Sequence, residues 1–307
     1  MDRLPTAAMA GVEALGADNV RWLAGTAAPV EGVDSHAHVF VRGLPLAAER
    51  RHAPDYDATL DDYVTHLRVQ GLSHGVLVQP SFLGTDNSFF LDVLRRYRHR
   101  FRGVAVVEPG ICDVALQNLA DAGVVGLRLN LIGLPLPDLR GGAWPALFAR
   151  INALGWHVEI HRGASDLSAL LPALLEQRCT IVIDHFGRPD PDLGARDPGL
   201  DYLCSVASTG QVWVKLSAAY RSAAYRSASY RSVRAAAGSE LGAVLTARLL
   251  DAFGPTRLVW GSDWPHTQHR DVIDYAAARA ALERWIPDAF TRKIVLCDAA
   301  RTLFRLP

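Results

Sequence analysis

The stretch GVDSHAH at 32–38 is a short apolar run that ends in polar residues, and the same pattern recurs along the chain. Seven further runs follow: HGVLVQP (74–80), GVAVVEP (103–109), VVGLRLN (124–130), WHVEIH (156–161), CTIVIDH (179–185), QVWVKLS (211–217) and RLVWGSD (257–263). Runs this short, rich in Val, Ile and Leu, are typical of strands buried on both faces. The chain therefore carries eight strand candidates.

Segments with helical periodicity separate these runs, at 59–71, 86–100, 113–123 and 165–178 among others. Thr59, Asp86, Asp113 and Ser165 are suitable N-cap residues for them. Eight strands alternating with helices predict an α/β fold, a (β/α)₈ TIM barrel. The alternative, a doubly wound open sheet, is disfavoured because no GxGxxG or GxxxxGK[ST] follows the first strand.

The barrel is expected to be a single domain over 31–307, because nothing resembling an interdomain linker interrupts 31–270. Residues 1–30 are interpreted as an N-terminal extension with a helix and loop over 4–24, and residues 288–305 as a closing helix. The internal repeat AYRSAAYRSASYRS (219–232) has a period of five and follows the seventh strand. It is interpreted either as a cationic, aromatic loop over the barrel mouth or as a solvated loop produced by replication slippage.

Composition excludes several classes of partner. The 307 residues carry 32 basic and 32 acidic side chains, so the basic excess of a nucleic-acid binder is absent. The four cysteines lie far apart, and no apolar run approaches the ~18 residues of a membrane span. Because the first residues lack the apolar core of a secretory signal, we expect a reduced, cytoplasmic protein with no membrane partner. Whether it forms a homo-oligomer is left open.

Polar residues cluster where the predicted strands end, and in a (β/α)₈ barrel those ends meet at one mouth, where active sites lie. The first strand supplies His36 and His38, which alternation points to the same side. The fifth, sixth and eighth strands end in His161, His185 and Asp263. Four histidines and a carboxylate at four strand ends predict a zinc-type site.

Four stretches resemble the amidohydrolase superfamily, and within it amidohydrolase family 2: DSHAHVF (34–40), IVIDHFGRPD (181–190), VWVKLSAAYR (212–221) and LVWGSDWPHT (258–267). They look closest to the 2-pyrone-4,6-dicarboxylate lactonases and 4-sulfomuconolactone hydrolases. The resemblance covers about residues 30–305, with DHFGRP and GSDWPHT its most specific parts. It implies a distorted TIM barrel and the hydrolysis of a lactone or a related ester or amide.

The resemblance also bears on the metal. Many members carry a carboxylated lysine or a glutamate on the fourth strand, where this chain has Arg128 and Asn130, so a binuclear site is not expected. His161 completes a three-histidine set with His36 and His38, and Asp263 adds a carboxylate. We therefore expect one divalent cation, zinc by preference, and no other cofactor, although the pyrone-dicarboxylate lactonases are thought to work without a metal.

These roles predict a mechanism in which Asp263 is the general base and His185 hydrogen-bonds the carbonyl oxygen or orients the water. Zinc, or the imidazoles alone, would polarise the water or the carbonyl. An anionic substrate is expected, because arginine forks suit carboxylates. The predicted substrate-binding residues are Arg128, Tyr220, Arg221, Gln79, Ser81, Asn130 and His266, the last donating toward Asp263. Arg188 is either a further contact or a surface charge, and Glu108 at the end of the third strand a structural carboxylate.

The leading hypothesis is a hydrolase that opens a small carboxylated lactone, in the breakdown of aromatic compounds or sugar acids. The alternatives are a mononuclear zinc non-oxidative decarboxylase, a lactone isomerase, and a non-catalytic protein that kept the barrel. The set of five strand-end residues argues against the last of these.

Overall fold

The computed structural model describes residues 15–25, 29–222 and 231–307, and for 231–235 it describes the backbone only. Its eight strands form one parallel sheet in which each strand pairs with the next along the chain. They are β1 Val33–Ala37, β2 His74–Val78, β3 Phe101–Ala105, β4 Val124–Asn130, β5 His157–His161, β6 Thr180–Ile183, β7 Val212–Leu216 and β8 Leu258–Trp260. The predicted (β/α)₈ barrel is confirmed.

The sheet closes on itself just beyond β8. Strand β8 has only three residues, and the chain that follows it pairs with the end of β1. The backbone N–H of Asp263 donates to the His36 carbonyl at 2.9 Å, and the N–H of His38 donates to the Trp264 carbonyl at 2.8 Å. These two bonds form the closing seam of the barrel, and both involve residues that the sequence assigns to the site.

Helices surround the sheet. In chain order they are α1 Ala17–Ala24, α2 Leu60–Val69, α3 Ser88–Tyr97, α4 Asp113–Ala122, α5 Trp144–Ala153, α6 Leu167–Glu176, α7 Pro198–Ser205, α8 Arg231–Phe253, α9 Tyr275–Trp285, α10 Ala289–Lys293 and α11 Ala299–Phe304. A π-helical turn, Ile294–Asp298, joins α10 to α11, so the predicted closing helix is present with a local widening. Short 3₁₀ turns follow β6 (His185–Gly187) and β7 (Ala219–Arg221).

Element boundaries differ from the sequence prediction by small amounts. Thr59 caps α2 as predicted, because its side chain accepts from the Asp62 N–H and Asp62 returns the bond. The next three predicted caps are displaced by one residue, to Asn87, Cys112 and Asp166. The predicted end of β3 is wrong: the strand stops at Ala105, so Glu108 lies beyond it and is exposed rather than buried.

Helix α1 packs on α2 through Asn19, whose amide donates to the Asp61 carboxylate at 2.7 Å and to the Thr65 hydroxyl at 2.9 Å. The division into an extension (1–30) and a barrel (31–307) stays a prediction. Of the tyrosine–arginine repeat, 219–222 and the backbone of 231–232 are described, and 223–230 lie outside the described residues. No described helix combines the length and apolar character needed to cross a membrane.

The amino-terminal end of the barrel is closed by α11. Phe304 packs edge-on against His157 with 5.5 Å between ring centres. Ala300 and Phe304 join an apolar cluster with strand residues such as Val33 and Val104. Along the same side of β5, His157 is followed by Glu159 and then by His161, so this strand contributes buried polar side chains all the way to the mouth. The fold thus places an unusually polar interior directly beneath the site.

Candidate active site

A cavity of about 160 Å³ lies at the carboxyl ends of the strands. Its walls include most of the residues selected from the sequence: His38, Ser81, Arg128, Asn130, His161, His185, Arg221 and Asp263. Arg51, His52, Arg188, Thr267, Gln268 and His269 complete the polar part of the lining. The predicted convergence of strand ends is therefore observed, and basic side chains dominate the walls.

Asp263 is held in place by a buried carboxylate on β1. Asp34 accepts hydrogen bonds from the Ser262 N–H (2.8 Å), the Ser262 hydroxyl (2.6 Å) and the Tyr275 hydroxyl (2.9 Å). Because Ser262 precedes Asp263, these bonds fix the turn on which the aspartate sits. The backbone of Asp263 is left-handed, with φ of 62°, a conformation that aspartate tolerates better than most residues.

The two oxygens of Asp263 have different surroundings. Oδ2 accepts from the Tyr220 hydroxyl and from Nε of Arg221 at 2.8 Å. Oδ1 lies 3.8 Å from Nε2 of both His36 and His185. Burial opposes ionisation, but Arg221 and, after it, the neighbouring His185, His36 and His38 together outweigh it and hold the pKa of Asp263 well below its ordinary value. The group is an ionised carboxylate whose Oδ2 is engaged and whose Oδ1 has no hydrogen-bond partner among the described residues.

His36 lies beneath Asp263 and contacts a buried ion pair. Its Nδ1 is 3.0 Å from Nζ of Lys215, and Lys215 also donates to Oε1 of Glu159 at 2.5 Å. All three side chains are buried, and His36 does not line the cavity. Burial, followed by the positive charge of Lys215, lowers the pKa of His36 well below its ordinary value, so the imidazole is neutral.

A second buried pair lies beside the first. Nε and Nη2 of Arg128 both lie 2.9 Å from Oδ2 of Asp184. Burial alone would raise the pKa of Asp184, but Lys215 and Arg128 together hold it well below its ordinary value. The Arg128 Nη2 also reaches Nδ1 of His161 at 3.1 Å, and Arg188 approaches Nε2 of the same ring at 3.4 Å. His161 therefore lies between two guanidinium groups.

The remaining two histidines face the cavity as neutral rings. Nδ1 of His38 is 2.7 Å from the Val78 carbonyl, which can only accept, so His38 carries its hydrogen on Nδ1 and keeps a lone pair on Nε2. Burial lowers the pKa of His38 to about 4 and that of His185 to about 3. Nδ1 of His185 is 2.8 Å from the Ser217 hydroxyl, which fixes the ring.

The predicted substrate contacts divide into two sets. Arg128, Arg221, Ser81 and Asn130 line the cavity, and Asn130 accepts from Arg51 at 3.2 Å. Tyr220 does not line the cavity, and its hydroxyl donates to Oδ2 of Asp263. Gln79 does not line the cavity, because its amide donates to the Gly84 and Asp86 carbonyls at 3.1 and 2.7 Å. His266 is buried outside the cavity, and its contact with Asp263 is a backbone bond of 2.8 Å to the carbonyl oxygen rather than a side-chain bond.

Two groups of described residues have ligand atoms within 4.8 Å of one another and could hold a metal ion: His36, Asp184 and His185, and His36, His38 and Asp263. His161, a predicted ligand, belongs to neither, because both its ring nitrogens face guanidinium groups. Two members of the first group, His36 and Asp184, already contact a cation, the Lys215 ammonium. In the second group, a metal would need the lone pair of His36 to stand on Nε2. Lys215 donates to Nδ1, so the single lone pair of this neutral ring stands on Nδ1 instead. The donors as they stand therefore do not fit a resident metal.

Sequence reasoning missed the charged residues of the interior. Asp184 directly precedes His185, and Glu159 and Lys215 stand within apolar strands. Charges in strands buried on both faces are rare unless paired, and this was a signal that could have found them. Arg51 comes from the long connection after β1 and carried no such signal. Arg188 was left between two interpretations, and it does face the cavity.

Comparison with known proteins agrees with this geometry. The amidohydrolase family model matches residues 33–306. Among curated relatives, a 2-pyrone-4,6-dicarboxylate hydrolase from Comamonas testosteroni is 32% identical over 246 residues, 79% of each chain. A 4-sulfomuconolactone hydrolase from Rhizobium radiobacter is 30% identical over 91% of each chain. A D-galactarolactone isomerase from Agrobacterium fabrum is 26% identical over 94% of this chain and 97% of its own.

Two solved structures are similar over nearly the whole barrel. A putative 2-pyrone-4,6-dicarboxylic acid hydrolase from Pseudomonas putida is 43% identical with a TM-score of 0.82, covering 91% of this chain and 99% of its own. A probable 2-pyrone-4,6-dicarboxylic acid hydrolase from Acinetobacter baumannii, solved with citric acid bound, is 37% identical with a TM-score of 0.83, covering 90% and 99%. The family match spans almost the whole chain, and the chain is therefore a member of the amidohydrolase family and an enzyme of the amidohydrolase superfamily.

Proposed function

We propose that this enzyme hydrolyses a small carboxylated lactone, of the kind that 2-pyrone-4,6-dicarboxylate represents. The observation that carries the proposal is a buried, ionised Asp263 with one free oxygen at the floor of a cavity whose walls are basic. A carboxylate so placed suits proton removal from water, and basic walls suit a substrate with carboxylates of its own. The names of the curated relatives support the same class of substrate.

In the proposed reaction, the attacking water donates one hydrogen to Oδ1 of Asp263 and the other to Nε2 of His38. Both atoms are acceptors, and both residues line the cavity. The water oxygen attacks the lactone carbonyl while Asp263 takes a proton. The carbon–oxygen bond of the ring then breaks, Asp263 returns the proton to the departing oxygen, and a ring-opened acid forms.

His185 is assigned to the carbonyl oxygen. With the Ser217 hydroxyl donating to Nδ1, the ring presents an Nε2–H toward the cavity, where negative charge develops during attack. Arg221 and Tyr220 keep Asp263 ionised and oriented through Oδ2. The zinc ion expected from the sequence would supply Lewis acidity, but it would have to displace the hydrogen bond between Lys215 and His36.

Substrate carboxylates are assigned to Arg188 and Arg51. Arg128 and Arg221 already contact Asp184 and Asp263, whereas among the described residues Arg188 and Arg51 have no carboxylate within ion-pair distance. Burial, and then the nearby charge of Arg221, lowers the pKa of Arg188 to about 10. Anion binding would relieve this repulsion. The Acinetobacter baumannii structure was solved with citric acid, a polycarboxylate, bound to that protein, which supports this assignment.

Proton balance tests the proposal. The enzyme in weak buffer with a pH indicator would meet 2-pyrone-4,6-dicarboxylate, other carboxylated lactones and aromatic carboxylic acids. Lactone hydrolysis releases a proton because the new acid ionises. Decarboxylation consumes one, and isomerisation of a lactone leaves the balance unchanged. Acidification with a carboxylated lactone would support the assignment as a hydrolase. Proton consumption would instead indicate a decarboxylase, and conversion of the lactone without a change in proton balance would indicate an isomerase.

The Asp263→Asn variant identifies the base. Turnover should fall by about 10²–10⁴-fold, the range that a general base contributes. Asp251→Asn is the matched control, because Asp251 is exposed on α8 and does not line the cavity. Folding of each variant is checked by circular dichroism. Turnover retained by a folded Asp263→Asn protein would refute the assignment.

A further inference from the structure

Lys215 is a fully buried lysine in the middle of β7 whose role the reaction above leaves unassigned. An ammonium group has three hydrogens and no lone pair. Three acceptors surround Nζ: Oε1 of Glu159 at 2.5 Å, Nδ1 of His36 at 3.0 Å and Oδ1 of Asp184 at 3.4 Å. Glu159 alone balances the charge of Lys215, and Asp184 also pairs with Arg128, so the contact with His36 needs its own explanation.

The contact determines where His36 carries its hydrogen. A neutral imidazole has one N–H and one lone pair. Because Lys215 can only donate, Nδ1 must accept, and the single hydrogen of His36 then stands on Nε2. That nitrogen is buried and has no hydrogen-bond partner among the described residues. Its nearest carboxylate is Oδ1 of Asp263, at 3.8 Å.

The opposite tautomer of His36, with its hydrogen on Nδ1, would have an identifiable cause and an identifiable cost. Oδ1 of Asp184 lies 3.4 Å from Nδ1 of His36, and its 3.4 Å contact with Lys215 is an ion pair without hydrogen-bond geometry, so among the described residues it has no hydrogen-bond partner. Without Lys215, this carboxylate would accept an Nδ1–H. The lone pair of His36 would then stand on Nε2, facing the oxygen of Asp263 that receives the proton. Two acceptors facing each other would push Asp263 away from its working position.

We propose that Lys215 is a positioning residue that holds His36 with its hydrogen on Nε2, directed at Oδ1 of Asp263. His36 thus supports the base from below, and with its hydrogen on Nε2 it has no lone pair at that nitrogen for a metal. The inference rests on the proposed function in one respect, the role of Asp263 as the base. Its structural part, the position of one hydrogen, is measurable without any substrate.

The first measurement is the tautomer of His36 in the wild-type protein. Long-range proton–nitrogen correlation spectra of nitrogen-15-labelled protein distinguish a protonated from an unprotonated ring nitrogen, and assignment through the backbone amide requires no variant. We expect Nε2 protonated and Nδ1 unprotonated in His36, and the reverse in His38, which serves as an internal control because its Nδ1 faces a carbonyl. An Nδ1–H on His36 would overturn the proposal.

The second measurement removes the ammonium without stranding a charge, in the variant Lys215→Met combined with Glu159→Gln. We expect His36 to change tautomer and kcat to fall about tenfold or more, with KM little changed, as for outer hydrogen-bonding partners of functional histidines. Glu159→Gln alone is the control and should retain the wild-type tautomer. An unchanged tautomer in the double variant would refute the role of Lys215.

The outcomes of these two measurements distinguish the positioning role of Lys215 from the proposed function of the enzyme. If the tautomers are as expected but no lactone is hydrolysed, the proposed function fails and the positioning of His36 stands. If lactones are hydrolysed while the tautomer or kcat of the double variant is unchanged, the positioning role fails and the function stands. The wild-type spectrum decides the hydrogen position even if the double variant does not fold.

Discussion

Replacing Asp34 by asparagine tests whether the carboxylate beneath the β8 turn stabilises both the fold and the base. Oδ1 of Asp34 accepts two backbone N–H groups, from Ser262 at 2.8 Å and from His36 at 3.2 Å. Oδ2 accepts two hydroxyls, from Ser262 at 2.6 Å and from Tyr275 at 2.9 Å. The two backbone groups cannot turn away, so the amide oxygen of the substituted side chain must face them and its NH₂ must face the hydroxyls.

The magnitude follows from this arrangement. Two hydroxyl bonds to a carboxylate are lost, each worth about 1–2 kcal/mol, and the two backbone bonds lose their charge assistance. We expect the free energy of unfolding to fall by about 2–4 kcal/mol. Asp34→Ala leaves all four donors without an acceptor and should cost more. Because Ser262 leads into Asp263, kcat should also fall about tenfold or more, as small displacements of a catalytic group do.

The assay is urea unfolding followed by tryptophan fluorescence, with initial rates on the lactone identified by proton release. Asp251→Asn, an exposed change of the same chemistry, sets the baseline and should lie within about 0.5 kcal/mol of wild type. Equal stability of Asp34→Asn, Asp34→Ala and the control would refute the reasoning. If Asp34→Asn lowers the stability but leaves kcat at the wild-type value, Asp34 stabilises the fold and has no role in positioning Asp263.

Three further predictions concern the cavity and the thiols. Arg188→Met should lower kcat/KM for a dicarboxylated lactone about 10- to 100-fold, the contribution of a charge-assisted hydrogen bond, and should have little effect on a neutral lactone. The control Arg196→Met changes an exposed arginine and should leave kcat/KM for both lactones unchanged. An equal loss on both lactones would contradict the assignment of Arg188. Prolonged dialysis against a strong chelator should leave kcat unchanged, because His36 is engaged by Lys215; activity lost on chelation and restored by zinc would show that a cation does displace that bond. A thiol reagent near pH 8 should modify exposed Cys112 rapidly and Cys179 only on unfolding, because burial raises the pKa of Cys179 to about 11 and leaves little thiolate. Fast modification of Cys179 in a Cys112→Ser variant would contradict its burial.

The fold could be predicted from the sequence because its signal is local and repeated. Each buried parallel strand is a short Val/Ile/Leu run, and each run ends in a residue that cannot stay in an apolar layer. The positions of His38, His185 and Asp263 at one mouth follow from that alone. The strand boundaries were predicted less accurately. Glu108 was assigned to β3 because the apolar run continues up to it, whereas the strand ends at Ala105.

The roles within the site could not be predicted in the same way, because they depend on which strands are neighbours and in which register. Arg128 stands opposite Glu159 in the β4–β5 pairing, and Asn130 opposite His161. That register brings Arg128 within reach of His161 and removes the histidine from the predicted ligand set. The position of Lys215 next to His36 joins strands separated by 179 residues, which no local pattern encodes.

The seam that closes the barrel has a consequence for how the enzyme fails. The same two backbone bonds that complete the sheet also hold Asp263 beside His36 and His38, so the catalytic constellation exists only while the last strand stays joined to the first. Opening of this seam requires no loss of the other seven strand pairings, yet it separates the base from its histidines. We therefore expect local opening of this seam to abolish activity before the whole barrel melts, and the amide hydrogens of His38 and Asp263 to exchange with solvent through that opening.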